Sequence, residues 1–128
     1  MGNGTSIGRV RGLGSAHSGA HHWLVQRFTA ITNVITMSWL VISLISFNDY
    51  SYSAMTAWLS QPLPAIAMIL LVASTFYHAR IGLQVLIEDY VHNSGSRFAI
   101  LMALNILAIG GAAYAIFSVA ILAFGGQA

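Results

Sequence analysis

Within the run FYHARIGLQVLIEDYVH, residues 76–92, a histidine, a glycine and an aspartate are spaced as if on one side of a helix, with a tyrosine next to the aspartate. At 100° per residue, Gly82 returns to the face of His78 one turn on, and Asp89 returns to nearly the same face eleven residues on. Tyr90 lies beside Asp89. A neutral imidazole on an apolar helix has two uses: a hydrogen bond to a neighbouring helix, or axial ligation of haem iron. A glycine one turn along leaves room for a flat macrocycle against the backbone. A phenol donates to a carbonyl oxygen, and an adjacent carboxylate passes protons from water. Quinone reduction takes two electrons and two protons, so Tyr90 with Asp89 suits it. The plainer role for that pair is an interfacial anchor, with the ring in an aromatic belt and the acids in solvent.

Four further polar side chains accompany this set. Arg80 lies between His78 and Gly82 in sequence, where its stem either snorkels to headgroups or its charge meets an anionic group such as a propionate. Arg27 opens the first apolar segment, on the side expected for Asp89 and Tyr90, and has the charge to meet the acid groups of an anionic cofactor. His17 and His21 have i, i+4 spacing, but no carboxylate accompanies them and Gly19 between them opposes a helix, so a metal site there is not expected.

The elements that position these residues follow from composition. The chain has 128 residues, 57% hydrophobic and only 6% charged, with a mean hydropathy of +0.75. Soluble domains carry about 25% charged residues, so this chain reads as an integral membrane protein. It has no cysteine, which excludes disulfides, thiolate metal sites, iron–sulfur ligation and covalent haem attachment through cysteine. Five arginines against three acids are too sparse for nucleic acid. The glycine-rich start lacks a preceding strand, so it is no dinucleotide fingerprint. MGNGTS fits a myristoylation pattern by chance, and residues 1–24 read as an uncleaved polar segment rather than a transit peptide.

Apolar segments at 25–47, 64–90 and 97–124 each exceed the roughly 20 residues that cross a hydrocarbon core. The expected fold class is all-α integral membrane, with three transmembrane helices. An outer loop at 48–63 and an inner loop at 91–96 separate them, and a tail occupies 125–128. The second loop is short enough to make helices two and three antiparallel neighbours. Arg9, Arg11, Arg27 and Arg97 all fall on one side, which predicts the N-terminus inside and the C-terminus outside. Trp23 then marks the inner interface, and Tyr50, Tyr52 and Trp58 the outer. The small-residue stretch at 108–115, with Gly111 and Ala115 at small-xxx-small spacing, suits either a partner face or packing within the chain.

The motif HARIGLQVLIEDYV resembles the small hydrophobic membrane-anchor subunit family of succinate dehydrogenase, with its histidine, glycine and Asp-Tyr at fixed spacing. The upstream piece GLGSAHSGAHHWLVQRFTAITNV is similar to bacterial members. The resemblance covers residues 12–91 in motif, and the three-span layout extends it to the C-terminus. It implies that His78 ligates the iron of haem b, that Arg27 and His21 lie near the propionates, and that Tyr90 with Asp89 serves ubiquinone. Arg80 has no implied role. A bis-histidine haem needs a second imidazole at the same depth, and the other histidines lie outside the core, so the second ligand belongs to another chain.

The implied partners are a companion anchor cytochrome subunit, an iron–sulfur subunit and a flavoprotein subunit. Together these form respiratory complex II, which joins the tricarboxylic acid cycle to electron transport in a bacterial inner membrane. The chain would anchor the complex and complete no active site alone. Competing readings are an anchor of a quinol:fumarate reductase, a structural membrane protein without a redox cofactor, and a homo-oligomeric haem cytochrome.

Overall fold

A computed structural model describes residues 17–125, with side chains from residue 19 onward. The helices run in the order α1 (His17–Ile45), α2 (Tyr52–Leu59), α3 (Pro62–Tyr90) and α4 (Ser94–Ala123). Three are long and apolar enough to cross a membrane: Gly19–Ile45 of α1, all of α3 and all of α4. At 1.5 Å per residue even the shortest reaches roughly 40 Å, beyond a hydrocarbon core of about 30 Å. The all-helical, three-span expectation is met. Helix is the natural state of such segments, because lipid offers no partner to a free N–H or C=O. The hydroxyls obey the same rule. Thr32, Thr36 and Ser118 donate to the carbonyls of Phe28, Thr32 and Tyr114 at 3.0, 2.7 and 2.9 Å.

Local chemistry sets the ends. Asn93 accepts from the N–H groups of Gly95 and Ser96, both at 3.0 Å, and so starts α4 after only three intervening residues. Pro62 takes the first position of α3, where a missing N–H costs nothing. Ser51 caps α2 by accepting from Ala54 N at 3.3 Å. The Ser51 hydroxyl and N–H donate in turn to Asp49 at 2.7 and 2.8 Å. Those bonds, the hydroxyl's first, hold the Asp49 carboxyl below the ordinary aspartate range.

Two features depart most from the sequence expectation; the other helix ends lie within three residues of it. α1 begins at His17 and runs through Gly19, eight residues before the expected start at 25. An interior glycine costs about 1 kcal/mol against alanine, and a continuous 29-residue hydrogen-bonded helix absorbs it. The loop expected at 48–63 also contains α2, whose Trp58 stacks on Trp39 of α1 at 5.5 Å between ring centres. Phe47 meets the same Trp58 edge-on at 5.2 Å. Trp58 is thus a packing residue of an aromatic cluster. The myristoylation-like pattern, Arg9, Arg11 and residues 126–128 lie outside the described residues.

α3 is the central helix. α1 and α4 each pack on it, while no described Cα of α1 comes within 8 Å of one in α4. α1 runs antiparallel to α3, since Thr29 meets His78 while Asn33, a turn later, meets Thr75, and the three-residue link 91–93 makes α4 antiparallel to α3. Few side chains are buried, chiefly Leu71, Ile81 and Ile87 of α3, Val119 of α4 and Thr36 of α1. The remaining surface is apolar, as expected where the surroundings are as apolar as the interior.

Candidate functional site

The seam between α1 and α3 carries polar chemistry. Thr29 Oγ1 lies 3.0 Å from His78 Nδ1, and Ser74 Oγ donates to the Thr29 carbonyl at 3.1 Å. Ser74 and His78 are one turn apart and share a face of α3. A turn further along α1, Thr75 Oγ1 donates to Asn33 Oδ1 at 3.4 Å. His78 is half-buried, and among the described residues its Nε2 makes no hydrogen bond.

Beside this ring is a cleft of about 350 Å³ lined by Trp23, Gln26, Arg27, Ala30 and His78. Arg27 stacks over Trp23, its guanidinium carbon 4.9 Å from the ring centre. Arg27 and Ala30 also border an apolar groove of about 320 Å³ that continues along α1 past Ile31, Val34 and Ile35. The fold therefore brings His78 and Arg27, 51 positions apart in sequence, to one cleft. Gly82 lies one turn beyond His78, and a Cβ added there would meet nothing within 4 Å. His21 is exposed near the start of α1 and does not line the cleft.

Asp89 and Tyr90 occupy the last two positions of α3, roughly 16 to 18 Å along the axis from His78. Both are exposed, Tyr90 at 77%. The phenol and the Asp89 carboxylate make no hydrogen bond among the described residues. The neighbouring Glu88 accepts from Gln84 at 2.8 Å, and His92 Nδ1 lies 3.2 Å from the Tyr90 carbonyl.

Arg80 belongs to neither set. Two residues from His78 is about 200° around the helix, so it points at α4, where its Nε donates to Asn105 Oδ1. Asn105 Nδ2 donates to Leu101 O at 2.9 Å, and the Arg80 guanidinium sits 5.9 Å from the Tyr77 ring centre. The partner replaces both snorkelling and a propionate as the account of this arginine. On the same seam a Cβ at Gly111 would come 2.6 Å from Phe76 Cε1, so the small-residue stretch packs within the chain at that position. Thr29, Gln26 and Asn105 were not singled out from the sequence. Asn105 was visible as a lone amide in an apolar helix, whereas Thr29 carried no distinguishing signal. Among the described residues no three His, Asp or Glu side chains converge as a metal cluster.

These features define an all-helical, three-span membrane protein with a polar seam and a histidine–arginine cleft. Residues 1–112 match the family model described as succinate dehydrogenase/fumarate reductase transmembrane subunit. The chain is 34% identical to a succinate dehydrogenase hydrophobic membrane anchor subunit of Rickettsia bellii, over 80% of this chain and 82% of that protein. Subunits of the same name from Coxiella burnetii and Paracoccus denitrificans are 28% and 27% identical, over 80% and 73% of this chain and 89% and 73% of theirs. The chain belongs to the succinate dehydrogenase/fumarate reductase transmembrane subunit family.

Proposed function

We propose that this chain is the membrane anchor of a succinate:quinone oxidoreductase, that it shares haem b with a companion anchor subunit, and that it forms part of the ubiquinone-reduction site. The observation that carries the reading is the cleft between α1 and α3, where an imidazole with a free ring nitrogen stands beside an arginine. The residues suit the group: His78 would hold the iron through its unbonded ring nitrogen, Gly82 leaves its face of α3 open, and Arg27 would meet the propionates with its cation. His21, on the same end of α1, is the second residue assigned to the propionates. A haem so held supplies one-electron redox chemistry. The companion subunit would cover the cleft and supply the other imidazole.

Tyr90 and Asp89 act at the opposite end of the helix axis from the α2 cluster, at the water boundary. The phenol donates a hydrogen bond to a quinone carbonyl, which orients the ring and polarises the bond that gains electron density. Asp89, exposed to water, relays protons. Reduction to the quinol consumes two electrons and two protons. The electrons come from iron–sulfur and flavin carriers of partner subunits, since a chain without cysteine ligates no cluster. Succinate chemistry takes place in those soluble partners, docked at the end of the bundle that carries Asp89, Tyr90 and Arg97. Arginine placement makes that side cytoplasmic, with the N-terminus inside and the C-terminus outside a bacterial inner membrane.

The test is a reduced-minus-oxidised visible spectrum of the complex purified through a tag on this chain, wild type against His78→Ala. A b-type α-band that is lost or shifted in the variant, with partner subunits still present, supports the reading. An unchanged band returns His78 to a structural role. Tyr90→Phe tests the second site: succinate-dependent quinone reduction falls by about 10- to 100-fold, in line with losing one positioned proton donor, while the haem band stays.

A further inference from the structure

We infer that Thr29 is the positioning residue that fixes the tautomer of His78, so that Nε2 rather than Nδ1 is the ligating nitrogen; this rests on the haem reading above. The evidence is a count of hydrogens. The Thr29 hydroxyl has one proton and two carbonyl acceptors on its own helix, Val25 O at 2.9 Å and Gln26 O at 3.0 Å. With the proton spent there, the oxygen presents a lone pair to His78 Nδ1 at 3.0 Å. Nδ1 must then carry the imidazole proton, and Nε2 holds the free electron pair.

The reverse arrangement is possible in principle. Thr29 would donate to Nδ1, and the proton on Nε2 would block ligation. That arrangement makes one hydrogen bond at this junction, whereas the first makes two: hydroxyl to carbonyl, and imidazole to hydroxyl. In a segment without water to supply the missing partner, the arrangement with more bonds prevails. The threonine is itself held in place, because Ser74, one turn before His78, donates to the Thr29 carbonyl at 3.1 Å. One residue of α1 is therefore gripped twice by one face of α3, at the level of the imidazole.

A hydrogen bond donated from the distal nitrogen of a ligating histidine makes the ligand more basic and fixes the plane of its ring. The greater basicity stabilises ferric over ferrous iron, and the fixed ring plane sets the g-values of the ferric signal. Removal of the acceptor should therefore raise the haem midpoint potential and change the g-values of the ferric low-spin electron paramagnetic resonance signal. The series is Thr29→Val, Thr29→Ala, Thr29→Ser and His78→Ala, each measured in the assembled complex in detergent. Expected is a positive shift of potential with altered g-values in Thr29→Val and Thr29→Ala, and wild-type values in Thr29→Ser.

Wild-type values in Thr29→Val or Thr29→Ala, or a shift in Thr29→Ser equal to theirs, overturn the assignment. Where neither hydroxyl-free variant assembles, Thr29→Ser decides: native values support the hydroxyl, shifted values refute it. His78→Ala separates this failure from a deeper one. A haem signal unchanged in His78→Ala removes the ligand itself, whereas a signal lost there but native in Thr29→Val removes only the role of Thr29.

Discussion

The two seams of α3 are built from the same helix in opposite styles. Towards α1 it presents Ser74, Thr75 and His78, which cross to Thr29 and Asn33 through hydrogen bonds of 3.0 to 3.4 Å and leave a cleft beside the imidazole. Towards α4 it presents Phe76, Tyr77 and Arg80, which meet a glycine and one asparagine on an otherwise apolar face. In lipid there is no hydrophobic drive to join helices, so each seam needs close packing or polar contact to hold it. The α4 seam uses both for cohesion. The α1 seam distributes its polar groups around an open space, which packing alone does not require.

That contrast is open to direct attack. The largest effect is expected at Asn105. Its replacement by Leu strips Arg80 of its acceptor and leaves a charge unpaired at membrane depth, a loss of about 3 kcal/mol. A reversible unfolding titration in mixed detergent measures it, and a second change, Arg80→Met, should recover most of the loss. Next comes Gly111→Val, which drives atoms into Phe76 and should cost about 1–3 kcal/mol. Phe76→Leu in the same chain should relieve it, with the coupling read from a double-mutant cycle. Ser74→Ala removes one bond across the other seam and should cost about 0.6 kcal/mol.

The smallest effect is at Asp49, outside the spans. The Ser51 hydroxyl and N–H hold its carboxyl low, so it is the stronger acid when folded. Its contribution to anchoring the start of α2 is full above the ordinary aspartate value of about 3.9. It fades as pH falls through the depressed one. Thermal melts of wild type and Asp49→Asn should differ slightly near neutrality and converge only below that ordinary value.

Much of the fold was legible because a membrane imposes length and apolarity on every span. Segments 25–47, 64–90 and 97–124 correspond to α1, α3 and α4, and NSGS announced the tight antiparallel link. α2 was hidden because SYSAMTAWLSQP offers turn residues at both ends and too few positions between to show a period. The site was legible only within single helices. His78, Gly82 and Asp89 share a face by arithmetic on one segment, with Tyr90 next to Asp89, and the opposite pointing of Arg80 follows from the same arithmetic. Which side chain of another helix each would meet did not. Thr29 pairs with His78 across 49 positions and Asn105 with Arg80 across 25, and no periodicity within a segment encodes such a register. Only the packing of α1 and α4 on α3 does.

The most direct test sets the two seams against each other in one experiment. Complexes carrying His78→Ala or Asn105→Leu are purified through a tag on this chain, and their reduced-minus-oxidised spectra are compared with wild type at equal subunit content. The account predicts a b-type α-band lost or shifted in His78→Ala and retained in Asn105→Leu, despite the larger loss of stability expected in the latter. A band that survives His78→Ala unchanged, or that disappears equally in both, contradicts the assignment of the α1–α3 cleft as the haem site.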